Sequence, residues 1–376
     1  MTYIKQLDSL RAIAVLLVIV THWFPEGHPL NTYTAFFNGV DIFFALSGFL
    51  ITRILLNNRM EAEQTGQRKS NVLKQFFIRR TLRIFPVYYL LVAFLFMLGP
   101  KTTTDIRENI LYFLTYTSNF YFYSNGWDGI LSHLWSLSVE EQFYLLWPWL
   151  MLFTNRRFLL PVITTATLVG VLGQLIFPTS IILTFSCFDG FGIGALLAWA
   201  TAYQPLALKK LRTPSILIAI ICCLLQAVRV FSDSTITPLP SRTLTSLCTC
   251  VIILHLLLQK DESKKFGGFL LNNRGLIFMG KISYGIYLYH LMIPYFAGVI
   301  LNRLFGFNTP EASELGFYIL QLGYFCLLLL VAFASWKLVE QPILKYKERF
   351  AYRKPFQTPT VKVVTTTEVH TLSQRR

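Results

Sequence analysis

Long apolar runs separated by short, mostly basic connections constrain this chain more than any other feature. The runs fall near residues 7–24, 40–57, 80–98, 140–154, 158–177, 182–202, 214–231, 241–259, 276–301 and 316–339. A bilayer core needs about 20 apolar residues per helix, so ten crossings use roughly 200 residues and leave only short loops and modest tails. The chain is 54% hydrophobic and 14% charged, with a mean hydropathy of +0.50, which excludes an ordinary water-soluble domain. The expected fold class is all-α, a polytopic transmembrane bundle of about ten helices. The aromatic stretch 106–123 is shorter and starts beside Asp105, Arg107 and Glu108. It is expected at the outer interface or partly re-entrant.

The net charge of +15 is spread between apolar runs and does not gather on one polar module, so nucleic acid is not an expected partner; the lipid bilayer is. The linkers Arg53 to Arg83, Arg156–Arg157, Lys209 to Arg212 and Lys260 to Arg274 are basic, as is the segment from Lys345. The intervening loops 25–39, 99–133, 178–181 and 302–315 are not. By the positive-inside rule both termini are cytoplasmic, in a cell (inner or plasma) membrane. No cleaved signal peptide is expected. All six cysteines lie in apolar segments without zinc-like spacing, so no metal is expected. Residues 1–350 form the membrane domain and 351–376 a basic polar tail with a disordered composition.

A charge at membrane depth costs about 2.5–3.5 kcal/mol on insertion scales, so one retained there is a functional hypothesis by default. In LDSLRAIAVLLVIVTHWF, Asp8 precedes Arg11 by three residues and His22 follows it by eleven. Eleven helical positions make roughly three turns plus 20° and a rise of about 16 Å. Arg11 and His22 therefore share a face that must look into protein or a polar cavity, with Arg11 near the cytoplasmic side and His22 toward the outer half. The plainer alternative pairs Asp8 with Arg11 at the interface and leaves His22 at headgroup depth.

IRRTLRIFPVYYL places Arg79, Arg80 and Arg83 at the start of the third run, and Arg80 and Arg83 project together. Guanidinium forks suit phosphate, although the same arginines would serve as a positive-inside anchor. HLWSLSVEEQFYLLWP opens the fourth run with His133, Glu140 and Glu141, where a carboxylate could orient a histidine or accept a substrate hydroxyl, or simply favour the helix start. NGVDIFFALSGFLITRIL carries Asp41 and Ser47, with Gly39 and Gly48 allowing close helix approach. No G-x-S-x-G elbow surrounds Ser47, which favours a hydrogen-bonding role over a nucleophilic one. Asp189 and His290 are further intramembrane polar positions with supporting roles.

These residues resemble the acyltransferase-3 family of membrane acyltransferases, which modify O-antigens, exopolysaccharides, peptidoglycan, Nod factors and macrolides. The likeness rests on LDSLRAIAVLLVIVTHW, GVDIFFALSGFLIT, RRTLRIFPVYYL, HLWSLSVEEQFYLLWP, FDGFGIGALLA, ISYGIYLYH and VEQP, in the family's order. The family's R-x10-H pattern falls on Arg11 and His22, its R-x-x-R pattern on Arg80 and Arg83, and its glutamate before FYL on Glu140. The resemblance implies an acyl-CoA donor, acetyl-CoA by family usage, entering from the cytoplasm and held by Arg11, Arg80 and Arg83, with no permanently bound cofactor. Many relatives carry an arginine two residues before the aspartate of the FDG block, where this chain has Cys187. Some relatives also carry an SGNH hydrolase-like domain after the membrane part. The tail here is too short for one, so the membrane domain is expected to perform the transfer or hand it to a glycan-assembly protein.

On this basis His22 is the expected general base, Glu140 fixes its tautomer, and Arg11 binds donor phosphate or stabilises developing charge. The acceptor is a hydroxyl of a cell-surface polysaccharide or its lipid-linked precursor, with a macrolide, a Nod factor or another small or lipid acceptor as the alternative. A glycan transporter or flippase would also need intramembrane charges, but it predicts inverted repeats and broken helices in matching halves, and the sequence displays neither.

Overall fold

The computed structural model describes residues 3–34, 36–102, 106–127, 129–231, 239–258, 268–306 and 314–346. The tail 351–376 lies outside the described residues. Helices account for all the regular structure, with no strand among the described residues. The long ones are α1 (Gln6–Trp23), α2 (Gly39–Thr65), α3 (Lys69–Leu98), α4 (Leu134–Phe153), α5 (Arg156–Ile176), α6 (Phe188–Tyr203), α7 (Arg212–Phe231), α8 (Ser241–Leu258), α9 (Ser283–Tyr289), α10 (Met292–Phe305) and α11 (Glu314–Ser335).

Eight of these helical segments are long and apolar enough to cross a membrane, and α9 with α10, bent by 49° at a short break, makes a ninth. The chain is therefore a multi-pass membrane protein. α4 falls below that hydropathy, since Glu140, Glu141, Gln142 and Pro148 lie within it. Its 20 residues nevertheless span about 30 Å at 1.5 Å per residue, a bilayer's apolar thickness. Glu63 joins the end of α2 to both the start of α3 and the start of α5, through Lys69 at 2.8 Å and through Arg156. α3 leads away from that end, so α4 must bring the chain back. Counting it brings the described helices to ten crossings, where length and apolar composition alone give eight or nine.

The same contacts sort the basic linkers. Arg59, Lys69 and Arg156 meet on Glu63, which places the 53–83 and 156–157 connections at one end of the bundle. Gln6 bonds Asn272 at 2.7 Å and Ser9 bonds the Leu271 carbonyl at 2.8 Å, which brings the N-terminal end of α1 to the 260–274 connection.

Two elements start earlier than the apolar runs suggest. α3 begins at Lys69, so Arg79, Arg80 and Arg83 sit about three turns inside the helix, not at its start. α4 begins at Leu134, so Glu140 and Glu141 are likewise internal. Helix formers continue the polar ends of these segments until a true stop arrives, as at Gly66 after α2, where φ is 71°. The Asn38 side chain accepts the Val40 N–H at 2.8 Å and opens α2. The aromatic stretch near 106–123 forms two short helices, Ile110–Leu114 and Ser118–Asn125, tied to α3 by Tyr88, whose hydroxyl donates to the Phe113 carbonyl at 2.8 Å.

α2 and α6 pack closely against each other, and glycines permit it. A Cβ on Gly48 would stand 2.0 Å from the Phe191 carbonyl oxygen, and one on Gly194 2.1 Å from that of Ala45. Both obstacles are backbone, which cannot step aside as a side chain can. Gly48→Val should therefore destabilise the folded protein by about 1–3 kcal/mol through overpacking. Gly323→Ala, where a Cβ meets nothing within 4 Å, should leave thermal unfolding in detergent unchanged or slightly later. Equal midpoints for Gly48→Val and wild type would contradict this packing.

Candidate active site

Two cavities meet inside the bundle. The larger, about 500 Å³, is a vestibule between the N-terminal end of α1, the middle of α2 and the segment that follows α11. The smaller, about 90 Å³, is a chamber enclosed by α2, α3, α4 and α9. Arg11, Leu50 and Arg83 line both, so the two spaces share a wall in which two guanidinium groups are set.

The chamber gathers six of the residues singled out from the sequence: Arg11, Ser47, Arg80, Arg83, Glu140 and Glu141. Ser47 and Tyr144 each donate a short hydrogen bond to Glu140 Oε1, and the two hydroxyls lie 3.1 Å apart. Arg80 lies over the Tyr144 ring, 4.6 Å from its centroid. Ser47 is thus a hydrogen-bonding group across helices, as its surroundings in sequence suggest. Sequence reasoning passed over Tyr144, although it stands one helical turn after Glu140 in the same block.

Arg11 donates to Asp8 at 2.7 Å, and Tyr3 donates to the other Asp8 oxygen. Arg53, Arg80, Arg83 and Lys281, by contrast, form no salt bridge with a carboxylate among the described residues. The two cavities are therefore bordered by cations that no carboxylate holds in a salt bridge, beside the Glu140, Glu141 and Glu340 carboxyls, and a charge without a close counterpart is expensive away from water. An anionic guest is the group that offsets it.

His22 lines neither cavity. Its Nδ1–H donates to the Val18 carbonyl at 2.8 Å, which leaves Nε2 with a free lone pair. The tautomer expected to be set by Glu140 is set instead by the backbone of α1, one turn back. His22 packs edge-on against His290, with ring centroids 5.0 Å apart, and His290 against His133, 4.8 Å apart. His290 is fully buried and donates Nδ1–H to the Tyr287 carbonyl at 2.5 Å. His133 donates Nε2–H to the Leu288 carbonyl at 3.1 Å. Trp23 locks this group to α1 by donating to the His290 carbonyl at 2.8 Å. Tyr287 lines the chamber and packs against both His133 and His290, at 5.6 and 5.4 Å. One tyrosine thus separates the arginine-lined chamber from a row of three imidazoles ending at His22, whose own side chain is exposed.

Asp41 and Asp189 belong elsewhere. Arg242 of α8 donates to Asp41 at 2.8 Å, to the Ser186 and Ile181 carbonyls at 3.1 and 2.9 Å, and lies 3.2 Å from Cys187 Sγ. Thr243 donates to Asp189 at 2.7 Å. This buried network ties α2, α6 and α8 together. Sequence reasoning missed Arg242, whose polar neighbours Ser241 and Thr243 gave α8 the look of an ordinary helix start. Among the described residues no group of three or more His, Cys, Asp or Glu side chains could hold a metal ion.

The acyltransferase-3 family, an acyltransferase domain, matches residues 4–337, and the chain belongs to this family. It is similar to the peptidoglycan O-acetyltransferase OatA of Listeria monocytogenes, 38% identical over 162 residues that cover 39% of this chain and 24% of that protein. It is 29% identical over 345 residues to a Staphylococcus aureus (strain COL) protein provisionally named an O-acetyltransferase, covering 78% of this chain and 51% of that one. A Bacillus subtilis protein, provisionally named a peptidoglycan O-acetyltransferase, is 38% identical over 158 residues covering 39% and 23%. The chain thus spans about half, or less, of the length of these relatives. No solved structure matches it.

The Asp41–Arg242 pair makes a prediction about stability. Arg242→Met strands Asp41 in the bundle and should cost about 3–5 kcal/mol, whereas Asp41→Leu combined with Arg242→Met should recover much of that loss. Thermal unfolding of the purified single and double variants decides the matter, and a double variant no more stable than Arg242→Met would refute the pairing.

Proposed function

We propose that this protein is a membrane O-acyltransferase that moves an acyl group, acetyl by family usage, from cytoplasmic acyl-CoA to a hydroxyl of a cell-surface polysaccharide or its lipid-linked precursor. The observation that carries this reading is the convergence of Arg11 of α1 with Arg80 and Arg83 of α3 on one junction, α1 also carrying a histidine whose Nε2 is free to accept a proton. In this reading the basic end of the bundle and both termini face the cytoplasm, and the membrane is the cell (inner or plasma) membrane. The arginines hold phosphate groups of the donor, and the pantetheine arm carries the thioester from the junction toward His22.

The step itself is an acyl transfer. The acceptor oxygen attacks the thioester carbonyl, its proton passes to His22 Nε2, the carbon–sulfur bond breaks, and the thiolate leaves as the CoA thiol after taking up a proton. The Glu140 carboxyl, held by Ser47 and Tyr144, is fixed in the chamber wall, positioned to orient the acyl end or the arginines. The name of the Listeria relative specifies peptidoglycan, which puts a wall glycan first among the acceptors to try. The released product, or an acyl group in transit, is open to a glycan-assembly partner.

Release of free CoA thiol from acetyl-CoA by the protein in nanodiscs tests this. His22→Ala should reduce turnover at least about a hundredfold, the lower range for losing a general base. Arg83→Ala should mainly raise the KM for acetyl-CoA. Wild type that is folded yet neither binds nor consumes any acyl-CoA would remove the support for this function.

A further inference from the structure

A base that accepts a proton becomes a cation, and His22 has no carboxylate to face that charge. Its Nδ1–H is committed to the Val18 carbonyl, and no salt bridge among the described residues involves His22, His290 or His133. A histidine base is ordinarily held by a third group that stabilises the imidazolium. The ring packed edge-on against His22 is another imidazole, that of His290, with ring centroids 5.0 Å apart. His290 occupies the break between α9 and α10, where the chain bends by 49°.

His290 is fully buried, and its Nε2 finds no hydrogen-bond partner among the described residues. An unmet buried acceptor is costly. Its neighbours have nothing to offer it in this state. Its own Nδ1–H goes to the Tyr287 carbonyl, the Tyr287 hydroxyl donates to the His133 carbonyl at 3.0 Å, and His133 Nε2–H goes to the Leu288 carbonyl. The Trp23 indole donates to the His290 carbonyl, not to its ring. One added proton changes this balance, because a protonated His22 carries a new N–H on Nε2.

We propose that His290 is a positioning residue for the transfer: its Nε2 accepts a hydrogen bond from the N–H that His22 gains when it deprotonates the acceptor hydroxyl. The proposal rests on the reading of His22 as the general base. The bond cannot form while His22 is neutral, since both nitrogens then carry lone pairs. It forms as the proton moves, so it favours the transition state over the bound donor. As the acceptor oxygen bonds the carbonyl carbon and the carbon–sulfur bond breaks, His22 passes the proton to the departing thiolate, and both rings return to their neutral forms.

Two variants isolate the acceptor atom. His290→Asn keeps an N–H donor near the Nδ1 position and leaves nothing at Nε2, whereas the longer His290→Gln places an amide oxygen there. In nanodiscs, His290→Asn should lower kcat with acetyl-CoA about ten- to a hundredfold, the weight of a hydrogen bond to a charged group, with KM nearly unchanged. His290→Gln should recover most of that loss. Wild-type kcat in His290→Asn, or equal losses in both variants, overturns the role of His290 and leaves acyl transfer standing. A second measurement needs no turnover: proton NMR of protein labelled with ¹⁵N-histidine, in which only six histidines contribute. Acidification should bring out in wild type one strongly downfield proton coupled to nitrogens of both rings, missing from His22→Ala and from His290→Asn. That signal supports the pair even where no thioester is consumed, and its absence from wild type with His22 protonated rules the pair out.

Discussion

Hydrocarbon does not solvate charge, and the arrangement of this bundle follows from where each charge finds its counterpart. Asp41 and Arg242 find one another across two helices, and the remaining guanidinium protons go to the Ser186 and Ile181 carbonyls. That network holds α2, α6 and α8 in register and lines neither the chamber nor the vestibule. Arg80 and Arg83 have no salt-bridge partner among the described residues. They are tolerated because they border cavities, and a cavity bordered by unpaired cations at membrane depth is a place for an anion. The same rule that accounts for the fold thus distinguishes structural charges from available ones.

α1 links the two halves of the proposed chemistry. Its N-terminal turns hold Asp8 and Arg11 at the vestibule, and its last turn holds His22 against His290. It is clamped at both ends: Trp23 bonds the His290 carbonyl, and Gly280 lies so close to Asp8 that a Cβ there would stand 1.8 Å from the Asp8 carbonyl oxygen. Because one rigid helix carries both groups, their separation is set by its rise, about 16 Å. A donor anchored by phosphates near Arg11 must reach His22 with an extended arm, which is the shape of a CoA thioester.

Features carried by a single helix were legible in the sequence; those assembled from several were not. The spacing of Arg11 and His22, the paired projection of Arg80 and Arg83, and the close approach permitted by Gly39 and Gly48 all follow from helical geometry and local residue type. A Cβ on Gly39 would stand 2.1 Å from the Ala14 carbonyl oxygen, in keeping with that last reading. The starts of α3 and α4 were placed too late because hydropathy marks where lipid begins, whereas a helix continues through polar helix formers until a cap or a left-handed glycine ends it. The row His22, His290, His133 draws on three segments far apart in the chain, so no spacing could reveal it.

Cys187 shows how a departure from a family pattern can be read once neighbours are known. Where many relatives place an arginine two residues before the aspartate, this chain has a buried thiol, which weakens a functional assignment of Asp189. The structure supplies the charge from another helix: Arg242 Nη1 lies 3.2 Å from Cys187 Sγ, and the next residue, Thr243, bonds Asp189. Its guanidinium also reaches the Asp41 carboxylate on α2, which itself requires a cation to remain buried. The two facts explain each other. A chain that keeps Asp41 and carries Cys187 needs Arg242, and the aspartate of the FDG block then stands in a network that braces the helices behind the chamber and does not enter it.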